Sequence, residues 1–149
     1  MNHVKGNLLD LFDQGKFDVI VHGCNCFHEM MGGIAAQIAQ RYPEAVDADL
    51  RTEYGDDGKM GTYSVAFRGD QVIINGYTQY LPGPHADLDA IRSVFERLRI
   101  NVLAEGETVS VGIPMIGAGI GGLTWDEVEQ IIDEMCFEDI TVVEFDPTV

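Results

Sequence analysis

The segment Phe17–Arg41, FDVIVHGCNCFHEMMGGIAAQIAQR, most constrains what this chain can fold into. It begins with a short apolar run, Asp18 to Val21, which predicts a central strand buried on both faces. A polar turn follows, and then Gly32-Gly33 opens a helix that ends before Pro43. α/β proteins commonly bind phosphate where a glycine-rich turn joins a strand to a helix, because the backbone can approach closely and the free N–H groups favour an anion. We therefore predict that this segment holds one small phosphorylated ligand.

The remaining chain alternates between β-rich and helical patterns. Helices are predicted over 33–41, 44–54, 87 to about 104 and from Thr124, where Glu127 completes a capping box. Strands are predicted from Asn2 into the turn at 6–8, at 62–67 and 71–79 as a hairpin, at 108–113 and at 140–145. A hairpin pairs antiparallel, so we expect an α/β/α sandwich of three layers with a mixed, mostly parallel central sheet. No linker or repeat divides residues 1–149, which predicts a single domain.

Charge limits the kinds of partner that this chain can have. It has 25 acidic and 9 basic residues among 149, for a net charge of −16, and the basic residues are scattered. Such a surface repels nucleic acid, and an anionic ligand must be held by backbone N–H groups. No apolar run approaches the roughly 20 residues of a membrane helix, and the N-terminus lacks the apolar part of a signal peptide. We expect a cytoplasmic protein that binds a small molecule, with no nucleic-acid or membrane partner; its oligomeric state stays open.

A second glycine-rich loop follows the predicted strand at 108–113. It contains Gly117, Gly119, Gly121 and Gly122, but neither the Lys and Ser/Thr of a Walker loop nor a dinucleotide fingerprint. Ligands of open α/β sheets bind at the carboxyl ends of strands, where two such loops can converge. His22, Cys24, Cys26 and His28 alternate like possible zinc ligands, but His22 and His28 would lie about 20 Å apart on an extended segment and could share an ion only if the chain bends. We predict no metal, and we expect no cofactor.

Five short motifs, in their order along the chain, resemble those of the macrodomains, a family that binds ADP-ribose. They are Gly6-Asn7-Leu8, His22-Gly23-Cys24-Asn25, Gly32-Gly33-Ile34-Ala35, Pro114-Met115-Ile116-Gly117-Ala118-Gly119 and Gly122-Leu123-Thr124-Trp125. The late loop with its Trp is most similar to the branch of ADP-ribose-1''-phosphate phosphatases and deacylating ADP-ribose glycohydrolases. The resemblance implies a macrodomain-like sandwich and a site for ADP-ribose or a derivative.

The resemblance also implies which residues bind the ligand. Asn7 stands where the family has an Asp that accepts a hydrogen bond from the adenine amino group, and an amide oxygen can accept the same bond without charge. Asn25 matches the Asn that holds the distal ribose. Phe145 could flank the adenine or belong to the core. The full implied set is Asn7, Leu8, Cys24, Asn25, Gly32, Gly33, Ile34, Pro114, Ile116, Gly117, Ala118, Gly119, Ile120, Gly121 and Phe145.

Two departures from the family bear on the reaction. Gly121 occupies the position of an Asp of the glycohydrolases, and their nucleophilic Lys has no match in Tyr77-Thr78-Gln79-Tyr80. His28 and Asn25 are then the expected catalytic pair, with His28 in proton transfer, although a surface-loop histidine is the alternative. Hydrolysis of ADP-ribose-1''-phosphate is the leading hypothesis. The alternatives are a non-catalytic ADP-ribose-binding module and a hydrolase that removes ADP-ribose from proteins.

Overall fold

A six-stranded mixed sheet forms the middle layer of the protein. The structure, a computed structural model, describes residues 1–101 and 108–149. The strand order is β1-β6-β5-β2-β4-β3, and every neighbouring pair is parallel except the hairpin of β3 and β4. The predicted hairpin and mixed sheet are confirmed. The strands are β1 (Asn2–Gly6), β2 (Val19–Cys24), β3 (Tyr63–Arg68), β4 (Gln71–Tyr77), β5 (Val111–Ile113) and β6 (Ile140–Phe145).

Helices cover both faces of the sheet. They are α1 (Leu8–Asp13), α2 (Gly33–Arg41), α3 (Pro43–Leu50), α4 (Leu88–Asn101) and α5 (Trp125–Glu134). The predicted end of the fourth helix near residue 104 lies outside the described residues. None of the helices in the described ranges is both long and apolar enough to cross a lipid bilayer.

The strand β2 shows how the sheet joins two cores. Val19 and Val21 pack with the buried faces of α4 and α5, whereas Ile20 points to the other side and packs with α1, α2 and α3. This follows from the alternation of side chains along a strand, and it explains why the run has no polar alternation. Burying each of these side chains contributes about 1.5–3 kcal/mol to folding.

Several predicted boundaries are wrong. The strand β2 continues past Val21 to Cys24, because His22 is hydrogen-bonded inside the sheet. The fifth strand begins at Val111 rather than 108, and the helix predicted over 44–54 ends at Leu50. Thr124 is the N-cap residue of α5, but its side chain makes no capping hydrogen bond, so the predicted capping box is not formed.

The parallel order fixes where the loops of interest lie. The strands β1, β6, β5, β2 and β4 all run in one direction, so their carboxyl ends lie along one edge of the sheet. The loop from β2 to α2 and the loop from β5 to α5 leave from neighbouring strands at that edge. The sheet therefore brings the two glycine-rich loops together.

Candidate functional site

A cavity of about 320 Å³ opens at the carboxyl ends of β5, β2 and β4. Three chain segments form its wall: the β2–α2 loop with the start of α2, the segment after β4, and the β5–α5 loop. The lining residues are Gly23, Cys24, Asn25, Glu29, Met31, Gly32, Gly33, Ile34, Ala35, Thr78, Gln79, Pro82, Gly83, Pro114, Met115, Ile116, Gly117, Gly119, Ile120 and Gly121.

The two glycine loops touch each other through Ile120. A Cβ atom added to Gly32 would lie 3.0 Å from the Ile120 Cδ1 atom, and one added to Gly33 would lie 3.3 Å from it. Gly33 and Gly117 also have φ angles of 55° and 76°, in the left-handed region that favours glycine. Larger residues at these positions would separate the loops or strain the backbone, so glycine is needed to form the cavity wall.

Backbone N–H groups without a partner line the cavity. The first hydrogen bond of α2 runs from the Ala36 N–H to the Gly32 oxygen. The N–H groups of Gly33, Ile34 and Ala35 therefore have no acceptor within the helix. In the β5–α5 loop, the N–H groups of Ile116, Ala118 and Gly122 donate to carbonyl oxygens of the same loop, whereas those of Gly117, Gly119, Ile120 and Gly121 do not. Within residues 1–101 and 108–149, no hydrogen bond engages the N–H groups of Gly33, Ile34, Ala35, Gly117, Gly119, Ile120 and Gly121.

The cavity has little charge of its own. Glu29 supplies its one carboxylate, and its lining contains no Lys, Arg or His. Cys24 lines the cavity as well, but burial raises the pKa of its thiol well above the ordinary value, and the nearby charge of Asp49 raises it further. The thiol is therefore protonated at neutral pH and is a poor nucleophile. Any anion in the cavity is held by backbone dipoles.

Asn25 shapes the loop that carries Glu29. Its Oδ1 atom accepts a hydrogen bond from the Phe27 N–H at 2.9 Å, and its Nδ2 atom donates to the Glu29 carbonyl oxygen at 2.9 Å. One amide hydrogen and one oxygen lone pair remain for a ligand. Asn25 thus both fixes the loop and presents polar groups to the cavity that it lines.

The segment after β4 also forms a wall of the cavity, although none of its residues was among those expected to bind the ligand. The Gln79 Nε2 atom donates to the carbonyl oxygens of Leu81 at 2.7 Å and Gly83 at 2.9 Å, which closes a tight loop. The Ala86 N–H donates to the Gly121 oxygen at 3.1 Å and joins this loop to the second glycine loop. The run Leu81-Pro82-Gly83-Pro84, at the carboxyl end of a strand beside β2, was the signal that could have identified it.

His28 does not reach the cavity. Its Nε2 atom lies 2.9 Å from the Thr52 carbonyl oxygen and 3.3 Å from the Thr52 hydroxyl, and its ring packs edge-on against Tyr54. The backbone at His28 has a φ angle of 57°, which turns the side chain away from the lining residues on either side of it. The predicted catalytic role of His28 stays a prediction, and this geometry does not support it.

Four of the residues expected to bind the ligand also lie outside the cavity lining. Asn7, Leu8 and Phe145 are at the ends of β1 and β6, farther along the same sheet edge, and Ala118 belongs to the β5–α5 loop but is not a lining residue. The Asn7 Oδ1 atom caps α1 by accepting from the N–H groups of Leu9 and Asp10 at 3.0 and 3.1 Å, so the oxygen expected to accept from adenine is already used. Phe145 is 62% exposed, which excludes the core role considered for it.

A chain of buried polar side chains lies behind the cavity. The His22 Nε2 atom is 2.7 Å from the Asn75 Oδ1 atom, and the Asn75 amide donates to the Ser64 hydroxyl at 3.0 Å. Tyr77 continues the chain, with its hydroxyl 2.9 Å from Ser64 and donating to Asp49 at 2.7 Å. Burial lowers the pKa of His22 to about 4, against the opposing effects of Asn75 and Asp49. These bonds fix β2, β4 and α3, and so the floor of the cavity.

Comparison with known proteins agrees with this fold. An uncharacterised 17.5 kDa protein from the tk-vs intergenic region of Enterobacteria phage T4 is 38% identical over 155 residues, covering 99% of this chain and 97% of the relative. The ADP-ribose 1''-phosphate phosphatase of Saccharomyces cerevisiae is 26% identical over 164 residues, covering 90% of this chain and 92% of the relative. The macrodomain of Mycobacterium tuberculosis DarG superposes with a TM-score of 0.76 at 28% identity, covering 98% and 97% of the two chains.

The family itself is identified by a sequence model of the Macro domain, which matches residues 21–132. This range includes the whole cavity lining, from Gly23 to Gly121. Because the match spans more than half of the chain, this protein belongs to the macrodomain family.

Proposed function

We propose that residues 1–149 act as one domain that binds ADP-ribose or a derivative in this cavity and hydrolyses ADP-ribose-1''-phosphate to ADP-ribose and phosphate. One observation carries the proposal: the two glycine loops meet, and their free N–H groups line a single cavity. No Lys, Arg or His side chain lines this cavity. A diphosphate presents several oxygens that such N–H groups can bind. Similarity to the yeast phosphatase over most of both chains supports the same substrate class.

The proposed ligand lies along the sheet edge. Its diphosphate binds the start of α2 and the β5–α5 loop, between Gly33 and Ile120, and its distal ribose binds near Asn25. The adenosine then extends towards Pro114 and the ends of β6 and β1. Gly6 and Phe145 are direct partners in the pairing of these strands, so the exposed ring of Phe145 and the N-terminal end of α1 are close enough to flank one base.

In the proposed reaction, Glu29 takes the part first expected of His28. Glu29 lines the cavity, its backbone oxygen accepts a hydrogen bond from the Asn25 amide, and its carboxylate can accept a proton from water. The water oxygen bonds to the phosphorus of the terminal phosphate as its proton passes to Glu29, and the bond from phosphorus to the ribose oxygen breaks. The ribose oxygen takes a proton from solvent and leaves as a hydroxyl group, and Glu29 returns its proton to solvent. Free N–H groups near the phosphate stabilise the charge that develops on its oxygens.

The proposal is tested by measuring phosphate released from ADP-ribose-1''-phosphate. We expect Glu29→Gln to lower kcat by about 100-fold, the lower range for a general base, with little change in ADP-ribose affinity. Glu53→Gln is the matched control, because Glu53 is also an exposed carboxylate but does not line the cavity. If both variants release phosphate at the same rate, Glu29 is not the general base. If the unaltered protein releases no phosphate, the proposed reaction is refuted.

A non-catalytic ADP-ribose-binding module is the second candidate. The observation in its favour is that Glu29 is the cavity's one carboxylate and is exposed to solvent. Calorimetry would then detect ADP-ribose binding while the phosphate assay stays blank. Removal of ADP-ribose from proteins is less well supported, because the Gln79 amide cannot act as a covalent nucleophile and is engaged with two carbonyl oxygens.

A further inference from the structure

Thr78 is a buried residue whose hydroxyl group has no hydrogen-bond partner in the described part of the protein. The residue is 1% exposed and lines the cavity just after the end of β4. Its backbone is fully engaged: the N–H donates to the Cys24 oxygen at 3.2 Å and to the Gly76 oxygen at 3.0 Å, and its oxygen accepts from the Asp87 N–H at 2.9 Å. Among the described residues, every fully inaccessible side-chain nitrogen or oxygen has a hydrogen-bond partner. The Thr78 Oγ1 atom has none, so it is the point at which Thr78 reaches the cavity.

Gly23 keeps that hydroxyl group accessible. A Cβ atom added at Gly23 would lie 2.6 Å from the Thr78 Oγ1 atom, closer than real Cβ contacts allow. Gly23 lies within β2 and does not have a positive φ angle, so its backbone does not require glycine. Space is the physical reason for glycine here. The pair forms a small opening in the cavity floor with a hydroxyl group at its base.

The sheet register places Thr78 beside Asn25. Cys24 and Tyr77 are direct partners in the pairing of β2 with β4, and Asn25 and Thr78 each follow one residue later. The hydrogen bond from the Thr78 N–H to the Cys24 oxygen continues this pairing past the strand ends. A ligand group bound at Asn25 therefore lies within reach of the Thr78 hydroxyl.

We propose that the Thr78 Oγ1 atom forms a hydrogen bond with a hydroxyl group of the distal ribose of ADP-ribose, which makes Thr78 a specificity-determining residue for ligands that carry this second sugar. This inference rests on the proposed function of the cavity. A Thr hydroxyl both donates and accepts, as sugar hydroxyl groups do, so the pair can form with either orientation of the hydrogen. A ligand without the second ribose leaves the Thr78 hydroxyl as it is in the free protein.

The test compares two ligands and three proteins by calorimetry. ADP-ribose and ADP differ in the distal ribose, Thr78→Val removes the hydroxyl group with little change of shape, and Thr78→Ser keeps it. We expect Thr78→Val to weaken ADP-ribose binding about tenfold, equivalent to about 1.4 kcal/mol, and to change ADP binding by less than about twofold. Thr78→Ser should stay within about threefold of the unaltered protein for both ligands. The melting temperature of Thr78→Val should not fall, because the hydroxyl has no protein partner to lose.

Gly23→Ala provides an independent test, since the added methyl group would cover the hydroxyl group and should also weaken ADP-ribose binding more than ADP binding. Equal losses for both ligands in Thr78→Val, no loss for ADP-ribose in either variant, or a loss in Thr78→Ser as large as in Thr78→Val would each overturn the inference. Failure of the unaltered protein to bind ADP-ribose would instead overturn the proposed function, and this inference with it.

Discussion

Acidification should destabilise this protein through His22. The imidazole is fully buried beside Asn75, and burial lowers its pKa from 6.5 to about 4. Between these two values, the unfolded chain binds a proton at His22 and the folded chain does not. Stability from this residue is therefore complete above about pH 6.5 and is lost as the pH falls towards 4.

The size of the effect follows from the two pKa values. Each unit of difference corresponds to about 1.4 kcal/mol, so the full loss would be roughly 3 kcal/mol. Between about pH 7 and pH 5, the expected loss is about 2 kcal/mol. This is a large part of the roughly 5–15 kcal/mol by which domains of this kind are stable. The hydrogen bond to Asn75 opposes this lowering of the pKa, and the charge of Asp49 opposes it to a smaller extent, because both favour the charged ring.

Urea unfolding of the unaltered protein and of His22→Gln at several pH values isolates this contribution. The Gln amide can still donate to the Asn75 oxygen but does not titrate, and the many surface carboxylates contribute equally to both proteins. The unaltered protein should therefore lose about 2 kcal/mol relative to the variant between about pH 7 and pH 5. A stability difference that is constant across this range would refute the neutral, buried state of His22.

Three further pairs of substitutions test the local geometry. Gly112→Ala should lower the free energy of unfolding by about 1–3 kcal/mol, because its Cβ would lie 2.6 Å from the Phe17 ring, whereas Gly119→Ala, with open space around it, should change it by less than about 0.5 kcal/mol in urea unfolding. His28→Gly should be more stable than His28→Ala by about 1 kcal/mol, since φ at this position is 57°; equal stabilities would contradict the left-handed backbone. Gln79→Glu should lower the free energy of unfolding by about 1–3 kcal/mol at neutral pH and by less near pH 4, where a protonated carboxyl can donate. Gln40→Glu, on the exposed face of α2, should show neither effect.

The fold was predictable where local pattern and burial agree. The bounds predicted for α2 match the structure, because Gly32-Gly33 and Pro43 mark both ends of an amphipathic run. The strand β2 was predicted to stop at Val21 because His22 is polar. Its continuation depends on Asn75, which is 53 positions away and accepts the hydrogen bond that lets an imidazole stay inside the sheet. Local sequence patterns cannot predict a pair of residues that are so far apart in the chain.

The site was predictable to the level of its loops but not of its side chains. Both glycine loops were identified from composition, and they meet as expected because parallel strands end at one edge. The orientation of His28 depends on one left-handed residue and on Thr52, which belongs to a different part of the chain. Thr78 was noted only as part of the segment that lacks the glycohydrolase Lys, and its distinguishing feature, a hydroxyl group without a protein partner in a residue that is 1% exposed, exists only in three dimensions.

The composition of the cavity and the charge of the whole protein have one consequence together. A net charge of −16 repels a long polyanion at every approach, because each added phosphate meets the same field. Backbone N–H groups act only at contact distance and cannot attract a polyanion from far away, as a cluster of Lys or Arg would. A compact ligand with two phosphates brings few charges into this field, so it is repelled less than a polyanion, and several N–H groups in the cavity can then bind it. We therefore expect the cavity to bind a small diphosphate in preference to nucleic acid.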